Sequence, residues 1–264
     1  MHLVVLGLSI FIGLFVGVLG GGGSIMTTPL LIYVVGMPTV DAIASSLLIV
    51  AAISLIALIQ HAIRGFVQWR TGIIFGSAGV VSAFFGGQVG ARLPGQILLI
   101  TFALMMSITG IAMIRGRKDI STKTMKVART YRIIIDGALV GFVTGLVGAG
   151  GGFMVVPALV LFGGLTIKQA IPTSLLVVAM KCLGAFAGYA LKFGNGALIS
   201  INEKISFDFE IIFIAILGAA VGSIIGSLFT NKIDSEKLRV FFGWFVITVA
   251  AIIIFEGFIG AGRT

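Results

Sequence analysis

Four glycines in a row, Gly20 to Gly23, interrupt an apolar run that extends from about residue 3 to 36. As one straight helix that run would measure roughly 50 Å, against a hydrocarbon core of about 30 Å. Glycine is where a helix breaks at low cost. The run therefore reads as two shorter helices that meet at the glycines and fold back as a V, entering and leaving on one side. The feature returns in GLVGAGGGFMVVPALV, residues 145–160, inside an apolar run from about 133 to 164.

The two stretches belong to a duplication. With Pro29 set on Pro157, an offset of 128, Gly20, Gly22 and Gly23 fall on Gly148, Gly150 and Gly151. Met26 falls on Met154, Ala42 and Ile43 on Ala170 and Ile171, and Ser46 to Leu48 on Ser174 to Leu176. Past an insertion of eight residues in the second half, Gly86-x-x-x-Gly90 pairs with Gly222-x-x-x-Gly226. Each half holds four apolar segments, at about 3–36, 41–63, 71–91 and 97–114, then 133–164, 169–191, 207–229 and 239–260.

Only 10% of the chain is charged and 58% is hydrophobic; a soluble domain carries about a quarter charged residues. The expected fold is an all-α polytopic integral membrane protein of two inverted-topology repeats, each with a broken, re-entrant V-shaped first segment. The first membrane repeat covers 1–114, a basic linker 115–132, and the second repeat 133–264.

The net charge of +9 is unevenly placed, with seven of the eighteen basic residues between 115 and 132. A basic loop beside apolar segments marks the cytoplasmic side of a membrane. With the linker inside and each V re-entrant, each half crosses three times. Thirteen cations then lie inside, and four, Arg92, Lys192, Lys204 and Arg263, lie outside. If each V spanned once, Lys232, Lys237 and Arg239 would move outside, which fits the charge rule less well. The expected setting is the plasma membrane, multi-pass, with the linker cytoplasmic. The partner implied by the basic loop is the lipid bilayer, and no nucleic acid is expected. The first twenty residues lack a basic leader and an A-x-A-like site, and their counterpart in the second half marks them as structure. One cysteine, Cys182, excludes an intramolecular disulfide framework and a multi-cysteine metal site.

Inside a bilayer, a broken helix is tolerated only where protein or a water-filled cavity satisfies its backbone. Half-helix N-termini at such breaks favour negative charge. The half-helices here begin at Ser24 and at Gly152–Phe153. The candidate site therefore comprises Gly20, Gly21, Gly22 and Gly23 with Gly148, Gly150, Gly151 and Gly152. Ser24, Thr27 and Thr28 add hydroxyls, where the second copy has Phe153, Val155 and Val156. Gly13, Gly17, Gly137, Gly141 and Gly145 read as close helix packing.

Lys181 lies at the centre of an apolar segment with no acidic residue within ten positions. A central lysine costs about 2.5–3.5 kcal/mol on insertion scales, so it must find an anion, bond free carbonyls or give up its proton. Its repeat counterpart is Ile53. Ser174, Lys181 and Gly188 lie seven apart on one stripe, matching Ser46, Ile53 and Gln60. Ser45, Gln60, His61 and Thr173 are candidate gating or pathway residues, with His61 expected at the membrane interface beside the anchoring Arg64. Asp41, Asp136 and Glu256 fall near segment ends, so no intramembrane carboxylate relay is expected.

The duplicated G-x-x-x-G-x-x-G-G-G-G…P-L-L element, followed by a helix beginning A-x-x-x-S-L-L, resembles the TauE/SafE family of sulfite exporters. It is carried by Gly13 to Leu31 with Ala42 to Leu48, and again by Gly141 to Leu159 with Ala170 to Leu176. The resemblance implies a plasma-membrane transporter with its site at Gly20–Ser24 and Gly148–Gly152. Family members export sulfite, sulfoacetate and related anions. The expected function is therefore secondary export of a small anion, sulfite or an organosulfonate, by alternating access at the repeat interface. Lys181 and the two half-helix N-termini would hold the anion, with hydrogen bonds from Ser24, Thr27, Thr28, Ser46 and Ser174. Pro172 in place of Ala44, and the insertion at 193–206, depart from symmetry. No cofactor and no metal are expected. Alternatives are a carrier of another small solute in either direction, an intramembrane enzyme and a structural membrane subunit. The enzyme is disfavoured because Cys182, Lys181, His61 and scattered serines form no H-E-x-x-H or G-x-S-x-G.

Overall fold

A computed structural model describes residues 2–19, 24–63, 65–115, 130–148, 152–161, 164–194, 208–229 and 235–261. Its helices are α1 (His2–Leu19), α2 (Ser24–Val34), α3 (Thr39–Ile63), α4 (Trp69–Gly90), α5 (Gly95–Arg115), α6 (Thr130–Val147), α7 (Gly152–Leu161), α8 (Ile167–Gly194), α9 (Phe209–Phe229) and α10 (Ser235–Ala261). The described residues contain no strand. Thr39–Ile63, Trp69–Gly90, Gln169–Leu191 and Phe209–Ser227 are each long and apolar enough to cross a bilayer. The chain is an all-α, multi-pass membrane protein.

Both glycine clusters fall between helices. α1 ends at Leu19 and the next helix starts at Ser24; α6 ends at Val147 and the next starts at Gly152. Gly148 closes α6 in the left-handed region, at φ +72°, while its N–H still donates to Thr144 O at 2.8 Å. That is a helix stop for which glycine carries no Cβ penalty. A Cβ at Gly148 would also overlap Ile43 of α3. Gly20 to Gly23, Gly150 and Gly151 lie outside the described residues. α2 is irregular: a tight first turn over 24–26, an α turn at Thr27–Pro29, then a widened π turn at Leu30–Val34. α7 is plain α-helix.

Small residues bring the helices together, as membrane helices require in the absence of a hydrophobic drive between them. On α1 and α9, Gly13 faces Ala219, Gly17 faces Ser223, and Gly222 and Gly226 face Ile10 and Leu14. On α4 and α6, Gly137 faces Phe75, Gly141 faces Gly79, Gly145 faces Ala83, and Gly90 faces Leu146. On α4 and α8, Gly72 faces Leu176, Gly76 faces Met180, and Gly188 faces Phe84. Residue numbers rise together in every case, so α1 runs parallel to α9, and α6 and α8 both run parallel to α4.

This fixes the path of the chain. Since α6 and α8 point the same way, the segment between them, which contains α7, must return to the side on which α6 began. In the first half, Gln60 near the end of α3 accepts a hydrogen bond from Ser227 near the end of α9. His2 and Glu210 pair at 3.4 Å at the starts of α1 and α9. α1, α3 and α9 therefore share a direction, and α2 carries the chain back in the same manner. The short connection 64–68 turns α3 into α4, so the two groups of three oppose each other. α1 and α6, α3 and α8, and α4 and α9 are the helices related by the duplication, and each pair is divided between the groups. α3 also packs on α8, and α5 on α10.

A methyl-sized intrusion at a backbone contact should cost more than the same change on an open face. Gly13→Val, which would overlap the Ala219 carbonyl, is expected to lower the melting temperature of the purified protein by about 4–8 °C. Gly7→Val, with nothing within 4 Å of its Cβ, should leave it nearly unchanged. Thermal unfolding in detergent checks both.

Candidate functional site

The described end of the second glycine break is stitched to the first half by hydroxyls. The Thr28 hydroxyl on α2 donates to Ser46 Oγ on α3 at 2.9 Å and lies 3.5 Å from Gly148 O. Ser46 Oγ stands 3.1 Å from Gly148 O and 2.7 Å from Ile43 O in its own helix. Each hydroxyl has one proton. The chain of bonds thus runs Thr28 to Ser46 and on to the carbonyls, and spends both protons on protein acceptors. One turn earlier, the Tyr189 hydroxyl of α8 donates to Leu146 O at 2.9 Å. Two carbonyls where α6 stops, those of Gly148 and Leu146, are thus reached by donors on α3 and α8, with Thr28 of α2 bonded to Ser46 behind the first.

Other hydroxyls on these helices are buried without partners among the described residues: Thr27 Oγ1 on α2, and Ser45 Oγ and Ser54 Oγ on α3. Unpaired buried polar groups cost about 1–3 kcal/mol each, and such groups deserve a functional explanation. Ser24 is buried in the first turn of α2. The geometry divides the expected hydroxyl set: Thr28 and Ser46 lock the two halves together, while Thr27 and Ser45 keep a donor uncommitted.

Ser174, the repeat counterpart of Ser46, makes the same local bond, donating to Ile171 O at 2.7 Å. Thr28 has Val156 as its counterpart, so the second half lacks the matching interhelical hydroxyl. Thr173 Oγ1 accepts the backbone N–H of Gln68 at 3.0 Å and donates to Gln169 O at 2.6 Å, tying the start of α4 to α8. Gln60 lies at the α3–α9 contact. His61, in the last turn of α3, is buried. Asp136 is the seventh residue of α6, deeper in its helix than expected, because α6 begins three residues before the apolar run.

Lys181 is fully buried on α8, and its Nζ has no hydrogen-bond partner among the described residues. Its stem lies against Gly79 of α4, beside the Gly137 carbonyl of α6. No hydrogen bond joins it to the Thr28–Ser46–Gly148 cluster among the described residues. The candidate site has two parts: a hydroxyl-lined joint at the second break, and a lone lysine amine in the α4–α6–α8 junction. The described residues hold no cluster of metal-ligating side chains. Ser54 and Gly79 escaped sequence reading. The repeat offers a signal for both, since Ser54 aligns with Cys182, next to Lys181, and Gly79 aligns with Ala215.

The family model described as sulfite exporter TauE/SafE matches residues 5–258. The chain belongs to the TauE/SafE family. A "Probable membrane transporter protein" of Xylella fastidiosa is 35% identical over 263 residues, covering 96% of this chain and 95% of the relative. A protein of that description from Haemophilus influenzae is 28% identical, covering 90% and 92%. "Probable membrane transporter protein YdhB" of Bacillus subtilis is 25% identical, covering 86% and 90%. No solved structure matches. TauE/SafE is a membrane transporter family and not an enzyme family, which removes the intramembrane-enzyme alternative.

Thr28 and Ser46 should behave as one unit. In a double-mutant cycle, Thr28→Val and Ser46→Ala are expected to couple by roughly 0.5–1.5 kcal/mol in unfolding free energy. Simple addition of the two effects would mean that the bond between them contributes nothing.

Proposed function

We propose that this TauE/SafE transporter exports a small anion, sulfite or an organosulfonate such as sulfoacetate, by alternating access between two inverted repeats. In this reading residues 1–114 and 133–264 are the moving halves and 115–132 is a cytoplasmic linker in the plasma membrane. The observation that carries the proposal is Lys181, a wholly buried amine with no hydrogen-bond partner among the described residues. Its protonated form is expensive there unless an opposite charge reaches it. A neutral solute would gain nothing from it.

The break supports the same reading. Its glycines allow the half-helix beginning at Gly152 to present free N–H groups, and Thr27 and Ser45 add uncommitted hydroxyls. The Thr28–Ser46–Gly148 bonds join the two halves in the described conformation. Relative movement of the halves would break them and re-form them elsewhere. With the cell interior negative, expulsion of an anion is favoured by about 2.3 kcal/mol per charge per 100 mV, so export needs no carboxylate relay.

Proteoliposomes loaded with sulfite test this. Efflux is expected to rise when an outward-driving potential is imposed, and Lys181→Met should lose most of it while remaining folded. Sulfite efflux that Lys181→Met leaves intact would remove Lys181 from the site. No efflux of sulfite or sulfoacetate from the native protein would overturn the choice of substrate.

A further inference from the structure

The face that α4 turns to α8 is built of glycines. Gly72 faces Leu176, Gly76 faces Met180 and Gly79 faces Lys181. The last contact differs from the others in what it holds. A Cβ on Gly79 would stand 2.6 Å from Lys181 Cδ and 2.8 Å from Lys181 Cγ, with Gly137 O of α6 at 3.3 Å. The lysine stem thus occupies the space a methyl group would need. Among the described residues, Lys181 is the one buried lysine or arginine. The His2–Glu210 contact at the starts of α1 and α9 does not involve Lys181.

The duplication supplies an internal comparison. The offset that sets Gly86 on Gly222 sets Gly79 on Ala215, and the offset of the earlier helices sets Lys181 on Ile53. Ala215 on α9 and Ile53 on α3 both belong to one buried apolar cluster. Where the repeat counterpart of Lys181 is a short branched hydrocarbon, the counterpart of Gly79 carries a methyl. Where the residue is a lysine, the methyl is absent. General glycine packing between helices does not predict that difference, because α9 carries glycines at 218, 222 and 226 and still has alanine at 215.

A lysine has four stem torsions, and packing selects among them. Adding a Cβ at Gly79 would push Cγ and Cδ into another rotamer and move the ammonium by a large fraction of the stem's length. We infer that Gly79 is a positioning residue for Lys181. The Cβ missing from α4 gives the stem its path, and the α4–α6–α8 junction thereby presents one ammonium to an oxyanion on one side of the pseudo-symmetric pair. The transport part of this inference rests on the proposed role of Lys181; the seat itself does not.

The test is a double-mutant cycle of Gly79→Ala and Lys181→Ala on the full-length protein. In thermal unfolding, Gly79→Ala should lower the melting temperature by about 3–8 °C when Lys181 is present. The drop should disappear in the Lys181→Ala background, which has no Cγ or Cδ to displace. If Gly79→Ala fails to fold alone and folds with Lys181→Ala, the seat is supported. An equal drop in both backgrounds, or failure of both variants to fold, would overturn it. In proteoliposomes, Gly79→Ala is expected to raise the half-saturating sulfite concentration roughly tenfold, as for loss of one charge-assisted hydrogen bond. An unchanged value in a wild-type protein that moves sulfite would overturn the positioning role. A native protein that moves no sulfite would defeat the proposed transport reading while leaving the unfolding cycle as the measure of the seat.

Discussion

A backbone carbonyl has no water to bond in the middle of a bilayer, so a helix can stop there only where protein supplies a donor. The second glycine break meets that demand with side chains from three other helices. Tyr189 reaches Leu146 O, and Ser46, itself bonded by Thr28, reaches Gly148 O. These partners come from both halves of the chain. The break is thus a joint, and the halves cannot be described as independent bundles that touch. Thr28 has no hydroxyl counterpart in the second half, so the joint is one-sided.

The same economy governs the helices around it. Glycines on α1, α4, α6 and α9 let backbones approach closely enough to be held by dispersion contacts alone. The first helix of each half lies on the fourth helix of the other, α1 on α9 and α6 on α4. This exchange explains why the two halves interlock and why the glycine pattern is duplicated along with the breaks. Within that frame the symmetry is broken at one crossing, where Gly79 and Lys181 stand in place of Ala215 and Ile53. A symmetric scaffold with one ammonium offers an anion one charged contact and leaves the other side apolar.

Much of this was legible in the sequence because it rests on backbone chemistry. A run too long for the bilayer with glycines at its centre must break there, and α1, α2, α6 and α7 begin and end around those glycines. The buried lysine was legible from its lack of acidic neighbours. Hydroxyl roles were not, because a serine's partner depends on which helix arrives beside it. Thr28 and Ser46 bond each other, whereas Thr27 and Ser45, one residue away, have no partner among the described residues. That His61 is buried was not legible either, since burial is set by how α3 sits among its neighbours. Gly79 carried no local signal at all, because its meaning lies in the side chain that α8 lays across it.

Central to the account is the fold-back of each broken segment, from which the inverted halves, the joint and the shared interior follow. The most direct measurement replaces Cys182 with alanine and introduces single cysteines by Phe66→Cys and Thr166→Cys. These lie in the connections before α4 and before α8. A membrane-impermeant thiol reagent applied to oriented vesicles should label both from the same face. Labelling of the two from opposite faces would mean that the second broken segment spans the bilayer once, and would contradict the account.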